Sequence, residues 1–272
     1  MPDIPLLNHP DLWVDKLVWP QSEGHKYHRG HSIILGAEHF TGATRLAAEA
    51  CSRIGSGLVT VLSDTRADLY RETLPADIMV GAGPFDTLRR PGVVLAGPGG
   101  CGPAQRAQLR ALPPHIPQIL DAEAIASRPV APAGTGPIVI TPHEGEFTRV
   151  FPDLAGPPMA RAVAAAEQTG WIIVLKGPET CLASPDGHRV INRHASPWLA
   201  KAGTGDVLAG LVTGLVAQGM APFDAACAAV WIHGEAGCRV GPGLLPQDLF
   251  DTIRPILRDL HTLALARLEE KG

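Results

Sequence analysis

The chain has 272 residues, 45% of them hydrophobic, and 23 basic against 27 acidic side chains give a net charge of −4. That length can bury one large α/β core, and a weakly acidic balance with no Lys/Arg block argues against a nucleic-acid or anionic-membrane surface and for a small-molecule partner. Five cysteines without a C-x-x-C pair fit reduced thiols in a cytoplasmic protein, and neither a signal peptide nor a continuously apolar span is evident.

Residues 1–23 read as an N-terminal extension and 24–272 as a single domain. The first motif, His25-Lys26-Tyr27-His28-Arg29-Gly30-His31, holds histidines with no carboxylate or thiol beside them. It therefore suits an anionic ligand flanked by Lys26 and Arg29 better than a metal. A strand over 31–35 leads to Phe40-Thr41-Gly42-Ala43, whose small residues allow close backbone approach at the start of a helix over 44–54. Further apolar strands are expected at 58–62, 93–96, 118–120, 138–140 and 171–175, with helices at 105–111, 159–169 and 207–218. A hairpin pairs 181–184 with 188–191 through Pro185-Asp186-Gly187. Packing helices follow over 225–237 and 248–268, the second broken near Pro255. Strands alternating with helices predict a mostly parallel sheet covered on both faces, a three-layer αβα arrangement.

The chemistry concentrates at strand C-terminal ends, where open α/β sheets bind ligands. In Lys201-Ala202-Gly203-Thr204-Gly205-Asp206-Val207-Leu208-Ala209-Gly210, Gly203 and Gly205 let the main chain turn its N–H groups toward one point, which the positive end of the next helix also faces. Asp206 would repel a phosphoryl group placed there, so its position suits a base that takes the proton of an attacking hydroxyl. The plainer reading is an Asp favourable to a helix dipole. Lys176 ends an apolar strand, where a buried ammonium needs an anion, either a nucleotide phosphate or a structural carboxylate. His143, in Thr141-Pro142-His143-Glu144-Gly145-Glu146, sits at the sheet edge as a helix-end hydrogen bonder or a ligand contact. Residues 97–102 formally match G-x-G-x-x-G, with Asp121 placed to bind ribose hydroxyls in a dinucleotide reader; Pro103 does not suit the helix–strand packing of that motif.

Seven segments in order carry a resemblance: Lys26-Tyr27 through Gly30, Thr41-Gly42-Ala43, Gly97-Pro98-Gly99, Leu120-Asp121-Ala122-Glu123-Ala124, Thr141 to Glu146, Leu175-Lys176-Gly177, and Gly203 to Gly210. Together they resemble the ADP- or ATP-dependent NAD(P)H-hydrate dehydratases of the ribokinase-like superfamily, over about residues 24–240. The resemblance implies repair of hydrated NADH or NADPH (NADHX, NADPHX) by phosphoryl transfer from ADP or ATP and loss of phosphate. It implies that Ala43, Gly99, His143 and Asp206 contact the hydrated dinucleotide. Lys176, Gly177, Pro178, Glu179, Thr180 and Gly205 would hold the adenine nucleotide. Gly203, Thr204 and Gly205 would form the anion hole, Asp206 would act as base, and Mg2+ would be held by phosphates without direct protein ligands. A homo-oligomer such as a tetramer is implied, as is a separate epimerase, since the epimerase domain of many bacterial relatives does not fit in the residues before the match. A small-molecule kinase of the hydroxymethylpyrimidine or thiazole type, an NAD-dependent oxidoreductase and a non-catalytic nucleotide-binding regulator are the alternatives. Ser196-Pro197-Trp198, Ala202 and Cys101 depart from the family pattern.

Overall fold

The computed structural model describes residues 4–126 and 136–271. The strands β1 (Leu6–Leu7), β2 (His31–Leu35), β3 (Leu58–Leu62), β4 (Met79–Gly81), β5 (Val93–Ala96), β6 (Gln118–Leu120), β7 (Ile138–Ile140), β8 (Ile172–Leu175), β9 (Thr180–Ala183) and β10 (Arg189–Asn192) form one sheet in the order β1-β10-β9-β8-β7-β6-β5-β2-β3-β4. Every neighbouring pair is parallel except the two made by β9.

The helices are α1 (Thr41–Arg53), α2 (Ala67–Thr73), α3 (Pro103–Ala111), α4 (Glu123–Ala126), α5 (Glu144–Val150), α6 (Pro158–Thr169), α7 (Thr204–Ala217), α8 (Pro222–Val240) and α9 (Asp248–Lys271). Because β2, β5 and β8 are covered on both faces, they are buried throughout; β5 and β8 read as unbroken apolar runs, and β2 is apolar from Ile33 onward. Their side chains divide by parity. Ile34, Val93, Leu95 and Val174 pack toward α1, α7, α8 and α9, while Ile33, Leu35, Val94 and Ile173 pack toward α3, α5 and α6.

The helix that carries the glycine-rich motif is the hub of the first layer. α7 is apolar all round and buried along nearly its whole length. It lies against α1 closely enough that a Cβ on Gly210 would stand 2.3 Å from the Ala47 carbonyl oxygen. Glycine is what permits that approach, and it fixes the two helix heads side by side.

The structure differs from the sequence expectations at several points. Within the segment read as an extension, β1 pairs with β10, Asn8 donates to Asn192 Oδ1 at 3.0 Å and to the Cys227 carbonyl at 2.8 Å, and Trp13 and Val14 enter the core. Pro255 does not break α9; Ile253, Ile256 and Leu260 are buried on one face and hold the helix through it. The helices at 41 and 204 begin three residues earlier than expected, so Ala43 and Asp206 lie inside first turns rather than in connections.

Candidate active site

The C-terminal ends of β5, β6, β7 and β8 face the heads of α1 and α7, and the motif residues collect there. Asp121, one residue past β6, is 3% exposed and its Oδ1 accepts from Thr141 Oγ1 at 2.8 Å and from Lys176 Nζ at 3.1 Å. The second of these is a salt bridge between two poorly exposed side chains. The Lys176 ammonium is thus paired with a structural carboxylate, and it still borders the crevice, since a Cβ on Gly205 would lie 3.3 Å from Nζ. The same pairing engages Oδ1 of Asp121, the residue expected to bind ribose in a dinucleotide reader. Pro103 begins α3 directly after Gly102, as N1 prolines do.

The loop after β5 is a close-packed cradle. Gly97, Gly99 and Gly100 all have positive φ, and a Cβ on Gly97 or Gly99 would stand 1.8 Å from the Asp121 carbonyl oxygen or 2.2 Å from that of Phe40. Thr44 ties this loop to α1, donating to the Pro98 carbonyl at 2.9 Å and accepting from the Ala37 N–H at 3.1 Å. Ala43 and Gly99 are thereby brought to the same rim. Cys101 is buried and its N–H donates to Glu123 Oε2 at 3.1 Å.

His143 caps α5. Its Nδ1 accepts from the Gly145 N–H at 3.0 Å, and Glu146 Oε2 accepts from the His143 N–H at 2.9 Å, a reciprocal capping box. With Nδ1 used as an acceptor, the ring of neutral His143 carries its proton on Nε2. His143 is also bridged to Lys176 by backbone pairing, so the two ligand loops are adjacent. Lys176, Gly177, Pro178 and Glu179 form the turn between β8 and β9, which Thr180 opens; Glu179 is exposed and paired with Arg193 at 2.7 Å.

At the head of α7, Gly203 takes a left-handed φ of 99°. The Thr204 N–H donates to the Lys201 carbonyl at 3.3 Å, and its hydroxyl donates to Leu199 and Lys201. Among the described residues no carbonyl takes the N–H groups of Gly205 or Asp206, which therefore stand as the open donors of this helix end. Behind the loop, His233 of α8 hydrogen-bonds the Thr204 backbone, and burial lowers its pKa to about 4, so it stays neutral.

Asp206 has the opposite perturbation. Burial, then the negative charge of Asp121, push its carboxyl from 3.8 up to about 7, against the pull of Lys176 and with a further push from Glu146. A carboxylate with that pKa in a glycine-lined crevice fits a general base working near neutrality. Sequence reading did not single out Asp121 and Thr141 as partners of Lys176; their placement depends on strands that are neighbours only in space. Trp198, on a one-turn helix over Pro197–Leu199 capped by Ser196, is 49% exposed.

A family model described as NAD(P)H-hydrate dehydratase matches residues 31–255. The chain is 34% identical over 260 residues to the bifunctional NAD(P)H-hydrate repair enzyme Nnr of Thermosynechococcus vestitus, covering 86% of this chain and 51% of that one. It thus spans about half the length of that relative. It is 32% identical to the ADP-dependent (S)-NAD(P)H-hydrate dehydratase of Neisseria meningitidis, covering 82% and 83% of the two chains. Among solved structures, the ADP/ATP-dependent NAD(P)H-hydrate dehydratase of Bacillus subtilis, co-crystallised with ATP and Mg2+, superposes with a TM-score of 0.83 at 26% identity, covering 96% of this chain and all of that one. On these matches and a ribokinase-like three-layer fold, the chain belongs to the NAD(P)H-hydrate dehydratase family.

Proposed function

We propose that the chain dehydrates the S epimer of hydrated NADH or NADPH, using ADP or ATP as phosphoryl donor, and that Asp206 is its general base. The observation that carries this reading is the head of α7: a carboxyl with a pKa of about 7 beside a lysine ammonium and open backbone donors. The hydrated dinucleotide would lie along Ala43, Gly99 and His143. The nucleotide would lie along Lys176 to Thr180 and Gly205, on the arrangement the resemblance implies.

In the first step Asp206 accepts the proton of the ring hydroxyl, whose oxygen attacks the terminal phosphorus of the nucleotide. The bond from that phosphorus to the bridging oxygen breaks, releasing AMP from ADP or ADP from ATP. In the second step the ring carbon–oxygen bond breaks with its electron pair leaving on phosphate. The neighbouring ring carbon gives up a proton to water or to the departing phosphate, and its C–H electron pair restores the double bond. Gly205 and Asp206 N–H groups and the Lys176 ammonium would receive the charge of the transferring group; one preorganised donor of this kind is worth about 3 kcal/mol in a transition state.

Mg2+ would be bound chiefly by phosphate oxygens; Asp206, Asp121 and Glu146, which act on one another electrostatically at the crevice, are the carboxylates that would face it. The ion's contribution would be to neutralise phosphate charge.

The family resemblance supports a homo-oligomer such as a tetramer, which light scattering would test. It also supports operation beside an epimerase activity. Five free cysteines, four of them buried, suit the reducing cytoplasm, and among the described residues no helix is long and apolar enough to cross a membrane. The direct test of activity is the near-ultraviolet absorbance of reduced nicotinamide after mixing hydrated NADH with Mg2+ and ADP, then ATP. A nucleotide-dependent rise is expected; a stable phosphorylated product with no chromophore would identify a kinase instead.

A further inference from the structure

The motif that opens the domain is not absorbed by the active site. Lys26–Arg29 forms a single-turn helix just before β2, and Ser56 and Gly57 precede β3. These positions are the N-terminal edge of a sheet whose C-terminal edge carries the crevice. Gln218, at the far end of α7 from Asp206, belongs to the same edge; the 14-residue α7, at about 1.5 Å per residue, separates the two by roughly 20 Å.

There the surface forms an open pocket of about 600 Å³. Inorganic phosphate would leave most of it empty, whereas ligand pockets for organic molecules occupy roughly 300–1,000 Å³. Its lining includes aromatic rings, Trp19, packed on His261 with ring centroids 4.6 Å apart, and the stacked pair His25 and His28, 3.7 Å apart. It also includes Lys26, Arg29 and Gln218, and among the described residues no Asp or Glu lines it. Glu23 lies in the same segment but outside the lining. Neither Lys26 nor Arg29 has a salt-bridge partner among the described residues. A third cation, Arg90, lies over the Tyr27 ring at 5.4 Å, with Lys26 at 5.5 Å from the same ring. A concave surface of one sign concentrates counter-ions, and flat rings beside it offer stacking to a base.

The segment is also fixed rather than loosely draped. A Cβ on Gly30 would stand 1.7 Å from the Ala217 carbonyl oxygen, and one on Gly57 would stand 1.9 Å from that of Lys26. The cationic turn is therefore seated directly on the end of α7 and the start of β3, as a preformed wall.

We propose that this cavity is a second ligand site, separate from the active site, for a nucleoside monophosphate, with Lys26 and Arg29 on the phosphate and the Trp19, His25 and His28 rings on the base. The probe is AMP, titrated calorimetrically into the full chain and into Lys26→Ala/Arg29→Ala. The double variant is expected to bind one fewer AMP per chain, or to bind that equivalent more than tenfold more weakly. Its turnover and thermal midpoint should stay unchanged, because both side chains are exposed and outside the crevice. Adenosine should fail to fill this site. Equal AMP stoichiometry and affinity in the two proteins would overturn the proposal, as would adenosine binding as tightly as AMP. Should the double variant lose its thermal midpoint, Lys26→Gln alone serves, with the same loss of affinity expected in lesser degree and unaltered binding again decisive against the site. The result is distinguishable from a failure of the dehydratase reading, since Lys176→Ala is expected to weaken AMP binding in the crevice and to leave the equivalent bound at Lys26 and Arg29.

Discussion

At the floor of the crevice Asp121 is 3% exposed, its Oδ1 held by the Thr141 hydroxyl and the Lys176 ammonium. At the head of α7 Asp206 is also removed from water, yet no hydrogen bond to its carboxylate forms among the described residues, and its pKa rises to about 7. Both regions bury an aspartate. The difference is the partner: Asp121 has a hydroxyl donor and a cation against it, whereas burial, and then the negative charge of Asp121, make Asp206 hold its proton more tightly. One carboxylate thus tunes the other while anchoring the lysine between them.

The largest effect that would break this contrast is on turnover. Asp206→Asn keeps the shape of the α7 head but cannot accept a proton, so a loss of roughly 10³-fold in turnover is expected with nucleotide affinity largely kept. Steady-state rates beside calorimetric ADP binding check it, and unchanged turnover would remove Asp206 as base. Next comes Lys176→Met, which strands a buried carboxylate. A destabilisation of about 3 kcal/mol is expected in urea unfolding, together with weaker nucleotide binding.

Sharper still is the coupling between the two aspartates. Turnover should rise with pH through a midpoint near 7 as Asp206 ionises. Asp121→Asn removes the negative charge that, after burial, does most to raise that pKa, so the midpoint should move toward lower pH; a profile left in place would show that Asp121 exerts no such field. The smallest effect is on stability. Asp206 has a folded-state pKa above its ordinary 3.8, so its contribution is fully present below pH 4 and is lost as pH rises through about 7. Asp206→Asn should therefore be more stable than the parent at pH 8, by about 2 kcal/mol after solvent relaxation is allowed for, and equal to it at pH 3. Paired urea titrations at the two pH values read this directly.

Much of the frame was legible in residue order. β2, β3, β5, β6 and β7 fall at their expected bounds because each is a short apolar run closed by glycine, proline or a polar residue. β4 and α2 escaped notice for the opposite reason: Met79 is 42% exposed and Tyr70 is the single buried residue of its helix, so neither leaves a periodic apolar signal. The heads of α1 and α7 were placed late because Thr41-Gly42 and Thr204-Gly205 are poor helix formers. Packing of α1 against α7, through Gly210, overrides that preference.

By itself the sequence determined the alternation of strands and helices, the glycines at strand ends and the presence of one aspartate and one lysine at those ends. Side-chain type and period are local properties, and they suffice for that. Only the tertiary structure decided that Lys176 pairs with Asp121 rather than standing free, that Asp206 lies within reach of that charge, and that Lys26 and Arg29 belong to the other edge of the sheet. Each of these depends on which strands are neighbours and on how deeply a charge is buried, and both are set by packing across the whole sheet.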